Sequence, residues 1–274
     1  MDNAPVNSLS AKLVASLKET VAKVSADPAV KAIVITGAGN FFCGGAEISE
    51  FAQLLGPGPD AYKQRHASQG FHDVMDVIDG APKTVVAAIN GLALGGGLEV
   101  ALACHYRVIS PKASVGFPEV QLGLLPGGEG TQRIPRVAPL EVALPMLLTG
   151  APQKADKAKK AGIVDAVASG DVVEEAVKLA LSKPPAPISK RPVPNATRFK
   201  AYGGALDGVA AQAVAKAKGM IAPEAIIECV RAACSGMSFQ EGLQVEGREF
   251  TNLLFSVQSA ALRHLFFAER MISK

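Results

Sequence analysis

Residues 85–121, VVAAINGLALGGGLEVALACHYRVISPKASVGFPEVQ, decide the fold. Two short apolar runs, Val85–Ile89 and Tyr106–Ile109, have the length and composition of buried strands, and between them a glycine cluster opens a helical pattern. Glu99 lies just inside that helix and Glu119 follows twenty residues later. Both acids stand among apolar neighbours, where a carboxylate is costly unless it is paired or put to use. Taken singly, the glycines make a tight turn, Glu99 is a helix surface residue and Glu119 is a post-proline cap. Together, in this order, they point to a reactive site.

Outward from this stretch, strand and helix patterns alternate. Ser8 or Ser10 can cap a helix that places Leu13, Val14, Leu17, Val21 and Val24 on one face. Residues 30–36 read as a strand running into the turn Gly37-Ala38-Gly39-Asn40 and a glycine-bearing loop over 41–48. Phe71, Val74, Met75 and Ile78 mark a second helix, residues 114–117 a further apolar segment, and residues 139–150 a helix that Pro145 should kink. A charged helix over 154–160 and a short strand over 163–167 follow. This alternation predicts an α/β fold with largely parallel pairing. The proline-rich run over 183–194 is a semi-rigid connector, and beyond it the pattern is helical: 209–217, 223–234 and one long segment over 239–271. The expected division is an α/β core over residues 1–190 and a helical region over residues 191–274.

The 274 residues are 49% hydrophobic and 19% charged, the composition of a globular chain with a real core. A net charge of +3 without a basic run gives no sign of nucleic acid as partner, and no apolar run has the length of a membrane span. Cys43, Cys104, Cys229 and Cys234 lack the paired spacing of a zinc site and read as reduced, buried thiols, so no metal is expected. The chain carries no leader pattern and does not end in the peroxisomal tripeptide, which predicts a soluble, intracellular protein.

The glycines first suggest a dinucleotide fingerprint. Gly37-x-Gly39 and Gly95-x-Gly97 each begin one, but the third small residue is replaced by Phe42 and by Val100. Neither a Gly-x-Ser-x-Gly elbow nor a Walker loop is present. What remains is two glycine loops and two acids. The helix N-terminus at Gly96-Gly97 offers free N–H groups, and a facing loop at Gly44-Gly45-Ala46 could join it in holding an oxygen that becomes negative, at about 3 kcal/mol per donor.

Three segments carry a family resemblance: Phe42-Cys43-Gly44-Gly45-Ala46-Glu47-Ile48, residues 88–99 (AINGLALGGGLE), and Phe117-Pro118-Glu119-Val120-Gln121-Leu122-Gly123 together with residues 126–133 (PGGEGTQR). From about Pro5 to about Val167 the chain resembles the enoyl-CoA hydratase (crotonase) superfamily. The resemblance implies a spiral of ββα units followed by a helical C-terminal region. It implies an oxyanion hole made by the N–H groups of Ala46 and Gly96, with Glu99 activating water and Glu119 protonating C2 of a trans-2-enoyl-CoA in fatty-acid β-oxidation, giving the (3S)-3-hydroxyacyl product. Gly44, Glu47, Ile48, Gly95, Pro118 and Gly123 fall where the substrate and its CoA lie, and CoA enters as part of the substrate rather than as a cofactor.

Residues 261–270 (ALRHLFFAER) are similar to the segment that follows the hydratase part of β-oxidation multifunctional enzymes, so the chain is a stand-alone relative or such a hydratase part. Stand-alone members imply a homotrimer or dimer of trimers, multifunctional ones a monomer, in a bacterial cytoplasm or a peroxisomal matrix. Three departures accompany the likeness. The segment before Pro5 is short, leaving a neighbouring strand without a partner; Glu129 brings a charge to a loop near the site, expected to be solvated; and Pro145 interrupts a helix. Two rivals stay open: a Δ3,Δ2-enoyl-CoA isomerase, which needs an acid at Glu119 but not at Glu99, and a non-catalytic oligomerising protein on the same fold.

Overall fold

The computed structural model describes residues 1–51, 55–56, 58–60, 70–193, 208, 211–212, 215 and 217–272. Most of the helix expected over 209–217 lies outside the described residues. After an N-terminal helix α1 (Ala11–Ala26), capped by Ser10, come β1 (Ile33–Thr36) and β2 (Phe41–Cys43), then α2 (Phe71–Asp79). The next unit is β3 (Val85–Ile89), β4 (Leu92–Leu94) and α3 (Gly96–Ala103), followed by β5 (Tyr106–Ile109), β6 (Ser114–Gly116) and a 3-10 turn, Pro118–Leu122. Each strand pair splits between two sheets. β1, β3 and β5 join β8 (Ala166–Val167) in one parallel sheet, while β2, β4 and β6 join the antiparallel β7 (Gln153–Lys154) in the other. This is the spiral of ββα units that the family resemblance implies.

The short strands β2 and β4 were not legible as strands, because three residues beside glycines read as loop. β3 is fully buried along its length, which is why it reads as an unbroken apolar run. All eight residues of α3 are buried too, so this helix is apolar all round and Glu99 is its only charged group.

The core continues through α4 (Gly130–Arg133), α5 (Leu140–Thr149), α6 (Ala155–Lys160) and α7 (Val172–Ser182). α5 runs through Pro145, which lies on its exposed face, where water can satisfy the carbonyl left without a donor. α7 covers the outer face of the first sheet, packing Ala176 and Ala180 against Val86, Ala88 and Val108. Residues 1–9 cover the edge near β1 and β2, so that edge does have a partner. The Met1 amino group donates to Thr36 O, Gly44 N–H to Val6 O, and Leu9 bridges Ala46 in parallel.

The C-terminal helices are α8 (Ala222–Cys234), α9 (Phe239–Leu254) and α10 (Val257–Ile272). The long segment expected over 239–271 is thus two helices, broken at Phe255-Ser256, where Ser256 N–H and Oγ both donate to Leu253 O. Ile226, Cys229, Val230, Leu253 and Leu254 pack into the same apolar cluster as Leu98, Phe117 and Ile134. The helical region therefore shares the core that carries the acids.

Candidate active site

Two backbone amides meet where β2 and α3 begin their turns. Leu9 N–H donates to Gly45 O and Glu47 N–H to Leu9 O, so the bridge uses the groups on either side of Ala46 and leaves its N–H out. Gly45 takes φ +107°, a conformation that favours glycine. Gly96 opens α3, where the first N–H groups have no intrahelical acceptor. A Cβ built on Gly96 would stand 3.5 Å from Ala46 N, which makes the two amides neighbours. Neither donates to another group among the described residues. They form a ready-made cradle for an anionic oxygen.

Glu99, in the first turn of α3, is 3% exposed. Its Oε1 accepts from Gly128 N–H and from Gly130 N–H, each at 2.8 Å. Side chains at those glycines would collide with the carboxylate, since built Cβ atoms lie 2.6 Å from Oε2 and 2.7 Å from Oε1. Glu119 sits in the 3-10 turn that follows β6. Its Oε2 is buried and has no hydrogen-bond partner among the described residues.

Burial pushes both carboxyls up, Glu119 to about 8, and the charge of Glu246 adds to the rise in each. Glu119 also raises Glu99, while the Gly130 and Gly128 amides oppose that rise. Hydrogen bonds from amides stabilise a carboxylate, and an orphaned buried oxygen destabilises one. The two amides thus favour the ionised form of Glu99, and the unpartnered Oε2 favours the protonated form of Glu119. Two carboxyls in unlike surroundings are suited to taking up one proton and delivering another.

A sequence profile described as enoyl-CoA hydratase/isomerase matches residues 1–188. The chain belongs to the enoyl-CoA hydratase/isomerase family. It is 40% identical over 276 residues to a peroxisomal bifunctional enzyme of Danio rerio, covering 100% of this chain and 37% of that protein. To a fatty acid oxidation complex subunit alpha of Shewanella putrefaciens it is 39% identical, covering 98% of this chain and 39% of that one. The chain thus spans little more than a third of the length of these relatives. Among solved structures, an enoyl-CoA hydratase from Bacillus anthracis superposes with a TM-score of 0.58 at 29% identity, covering 91% of this chain and 83% of that one.

Within this hydratase/isomerase frame, the other expected site residues fall into two groups. Gly95 and Pro118 adjoin Glu119: Pro118 opens its turn, and Gly95 N–H donates to Gly116 O at the end of β6. Gly123 closes the same turn at φ +65° and packs on Ser259 and Leu262 of α10. Gly44, Glu47 and Ile48 lie with the N-terminal segment instead. A Cβ at Gly44 would meet Val6, and Glu47 accepts from Ser8 Oγ and Ser49 Oγ, each at 2.6 Å. Those hydroxyls hold the Glu47 carboxyl below its ordinary value.

A buried ionic network beneath Glu99 was not legible in the sequence. Glu129 is not a solvated loop charge, as expected, but fully buried. Its Oε2 accepts from Arg133 Nε at 2.7 Å, its Oε1 lies 3.2 Å from His72 Nδ1, and Arg133 Nη1 reaches Asp79 Oδ1 at 2.5 Å. A solvated reading was natural for a charge between glycines, but the i, i+4 Arg133 supplies a buried partner. Burial pulls the His72 imidazole down, but Glu129 and Glu246 outweigh it and leave His72 above its ordinary value. Glu246 itself, fully buried on α9, accepts from Glu129 N–H at 2.7 Å and Thr131 N–H at 3.0 Å. One signal did exist: Glu246 falls at helical spacing between Phe239, Leu243, Phe250 and Leu253, a lone charge on an apolar stripe.

Proposed function

We propose that the chain hydrates trans-2-enoyl-CoA thioesters to (3S)-3-hydroxyacyl-CoA in fatty-acid β-oxidation. The observation that carries this reading is the asymmetry of the two acids: Glu99 is held by two amides, while Glu119 Oε2 is buried without a partner among the described residues. The thioester carbonyl is held by the N–H groups of Ala46 and Gly96, which draws electron density from C3. Glu99 takes a proton from water as its oxygen bonds to C3, and the π electrons move onto the carbonyl oxygen as an enolate. Glu119 then gives its proton to C2 as the enolate collapses. The turnover leaves Glu99 protonated and Glu119 ionised, and the transfer of one proton from Glu99 to Glu119, directly or through solvent, resets the pair. Donors placed where charge develops stabilise the transition state more than the substrate.

CoA arrives and leaves with the acyl group, and the steps above call on no bound cofactor. Isomerisation of a Δ3-enoyl-CoA would use the same amides and Glu119 but leaves Glu99 without a role, so hydration is favoured. The expected division near residue 190 remains a proposal about how the chain is organised. A homotrimer is the assembly proposed for a stand-alone chain and a monomer for part of a multifunctional one, which light scattering distinguishes. The two relatives, one named as peroxisomal and one bacterial, support a peroxisomal matrix or a bacterial cytoplasm.

Loss of the conjugated-enoyl absorbance with crotonyl-CoA and a long-chain 2-enoyl-CoA tests the function. Turnover of either, with solvent oxygen found at C3, supports it. No turnover of both ends it, and points to the non-catalytic alternative.

A further inference from the structure

Four successive amides link Glu99 to a second carboxylate. Gly128 and Gly130 N–H donate to Glu99 Oε1, while Glu129 N–H donates to Glu246 Oε1 and Thr131 N–H to Glu246 Oε2. The alternation places one acid on each side of the loop, and Glu129 accommodates it by adopting φ +80°, unusual for a residue with a side chain. Thr131 Oγ1 adds a bond to Glu246 Oε2 at 2.5 Å, and Gln132 Nε2 donates both to Thr131 Oγ1 and to Cys229 O on α8. Glu246 is itself fully buried and lies 115 residues along the chain from Thr131. A buried carboxylate on a distant helix is costly to keep unless it orders something.

We infer that Glu246 is a positioning residue for hydration: from α9 it fixes the 128–131 loop, and through that loop it holds the Glu99 carboxyl group in place. This rests on the hydratase reading of the site. Replacing the carboxylate by an amide leaves the shape but turns one acceptor oxygen into a donor, which cannot receive the amide facing it. The loop would then lose part of its anchor, and with it the pair of amides on Glu99. A shift of this kind, on the order of 1 Å, costs about a hundredfold in rate when it reaches a reacting group.

The test uses Glu246→Gln, Thr131→Val and the double variant. With crotonyl-CoA, Glu246→Gln should lower kcat by roughly ten- to a hundredfold and leave KM within about twofold, the split expected when transition-state stabilisation is lost and binding is not. Thr131→Val, which removes the hydroxyl's bonds to Glu246 and Gln132 but keeps the Thr131 amide on Glu246, should fall between wild type and Glu246→Gln. The double variant should lose less than the sum of the two single losses, because both act on the anchor between Glu246 and the 128–131 loop. The pH profile of kcat should move as well. Glu246 faces Glu129, His72 and Cys229, and its charge raises both Glu99 and Glu119, so removing that charge should shift the basic limb to lower pH.

Hydrogen exchange at the 128–131 amides reads the same anchor without turnover, and should quicken in Glu246→Gln. Unchanged exchange, kcat and pH profile in that variant would overturn the inference, as would additive losses in the double variant. Inactive wild type with quickened exchange would instead sink the hydratase reading and leave the anchor standing. Should Glu246→Gln not fold, Thr131→Val decides by the same exchange and kcat readouts.

Discussion

Gly95 and the Glu119 carboxyl group are in such close contact that no side chain fits between them. A Cβ built on Gly95 lies 2.5 Å from Glu119 Oε1 and 3.2 Å from Cδ, and the backbone there has φ +52°. The tip of the glycine cluster is therefore one wall of the space that holds the Glu119 carboxyl group. Gly95→Ala should displace Glu119 and strain the start of α3, lowering kcat by about a hundredfold. Steady-state kinetics on an enoyl-CoA checks this, with Gly170→Ala as a control, because the nearest atom to a Cβ there is 3.8 Å away.

Stability should carry the mark of the buried acid. The Glu119 carboxyl rises from an ordinary 4.5 to about 8 on folding. Below pH 4.5 folded and unfolded chains both hold the proton. Between about 4.5 and 8 only the folded chain does, so this residue's contribution falls as pH rises through that window. Glu119→Gln removes the dependence. Its melting temperature should gain on that of wild type as pH is raised from about 5 to about 8, at about 2–4 °C per kcal/mol in a chain of this size. A constant offset across the range would show that Glu119 does not hold its proton in the folded protein.

The turn that carries Glu119 is tied to the last helix. Ser259 Oγ, fully buried, donates to Leu122 O at 2.8 Å and accepts from Arg263 Nη1 at 2.5 Å. Ser259→Ala leaves a carbonyl and a guanidinium nitrogen without that partner, a cost of about 1–3 kcal/mol. Thermal unfolding should register the loss, and kcat should fall with it, because Pro118–Leu122 would no longer be held against α10.

How much of this was written in the sequence differs by element. The buried strand β3 and the apolar helix α3 were legible because burial on every side leaves an unbroken apolar run, and in such a run Glu99 stands out. The resemblance supplied the roles of Ala46, Gly96 and Glu119, which follow β2, β4 and β6 and are brought together by the parallel pairing of those strands in one sheet. β2 and β4 were too short to show a period of two, and the break at Phe255-Ser256 lies in a pattern that stays amphipathic across it. The network of Glu129, Arg133, His72, Asp79 and Glu246 stayed hidden because its members come from separate segments of the chain. Only the fold turns solvated-looking charges into buried partners.

The four cysteines should be silent in the native protein. All are buried and free, and burial pushes Cys43 to about 11 and Cys104 and Cys234 to about 12, with Cys229 higher still. The thiolate is the reactive form, so a thiol reagent at neutral pH should label none of them before unfolding and all four after it. Rapid labelling of the native chain would mean that the core opens readily around α3 or α8.

The division of labour between the two acids is tested most directly by Glu99→Gln with crotonyl-CoA, comparing hydration rate and substrate binding with wild type. Because an amide side chain in place of the Glu99 carboxylate cannot take the proton from water, hydration should fall by roughly 10²–10⁴-fold, with the thioester still bound by Ala46 and Gly96. Hydration at the wild-type rate in Glu99→Gln would contradict the account.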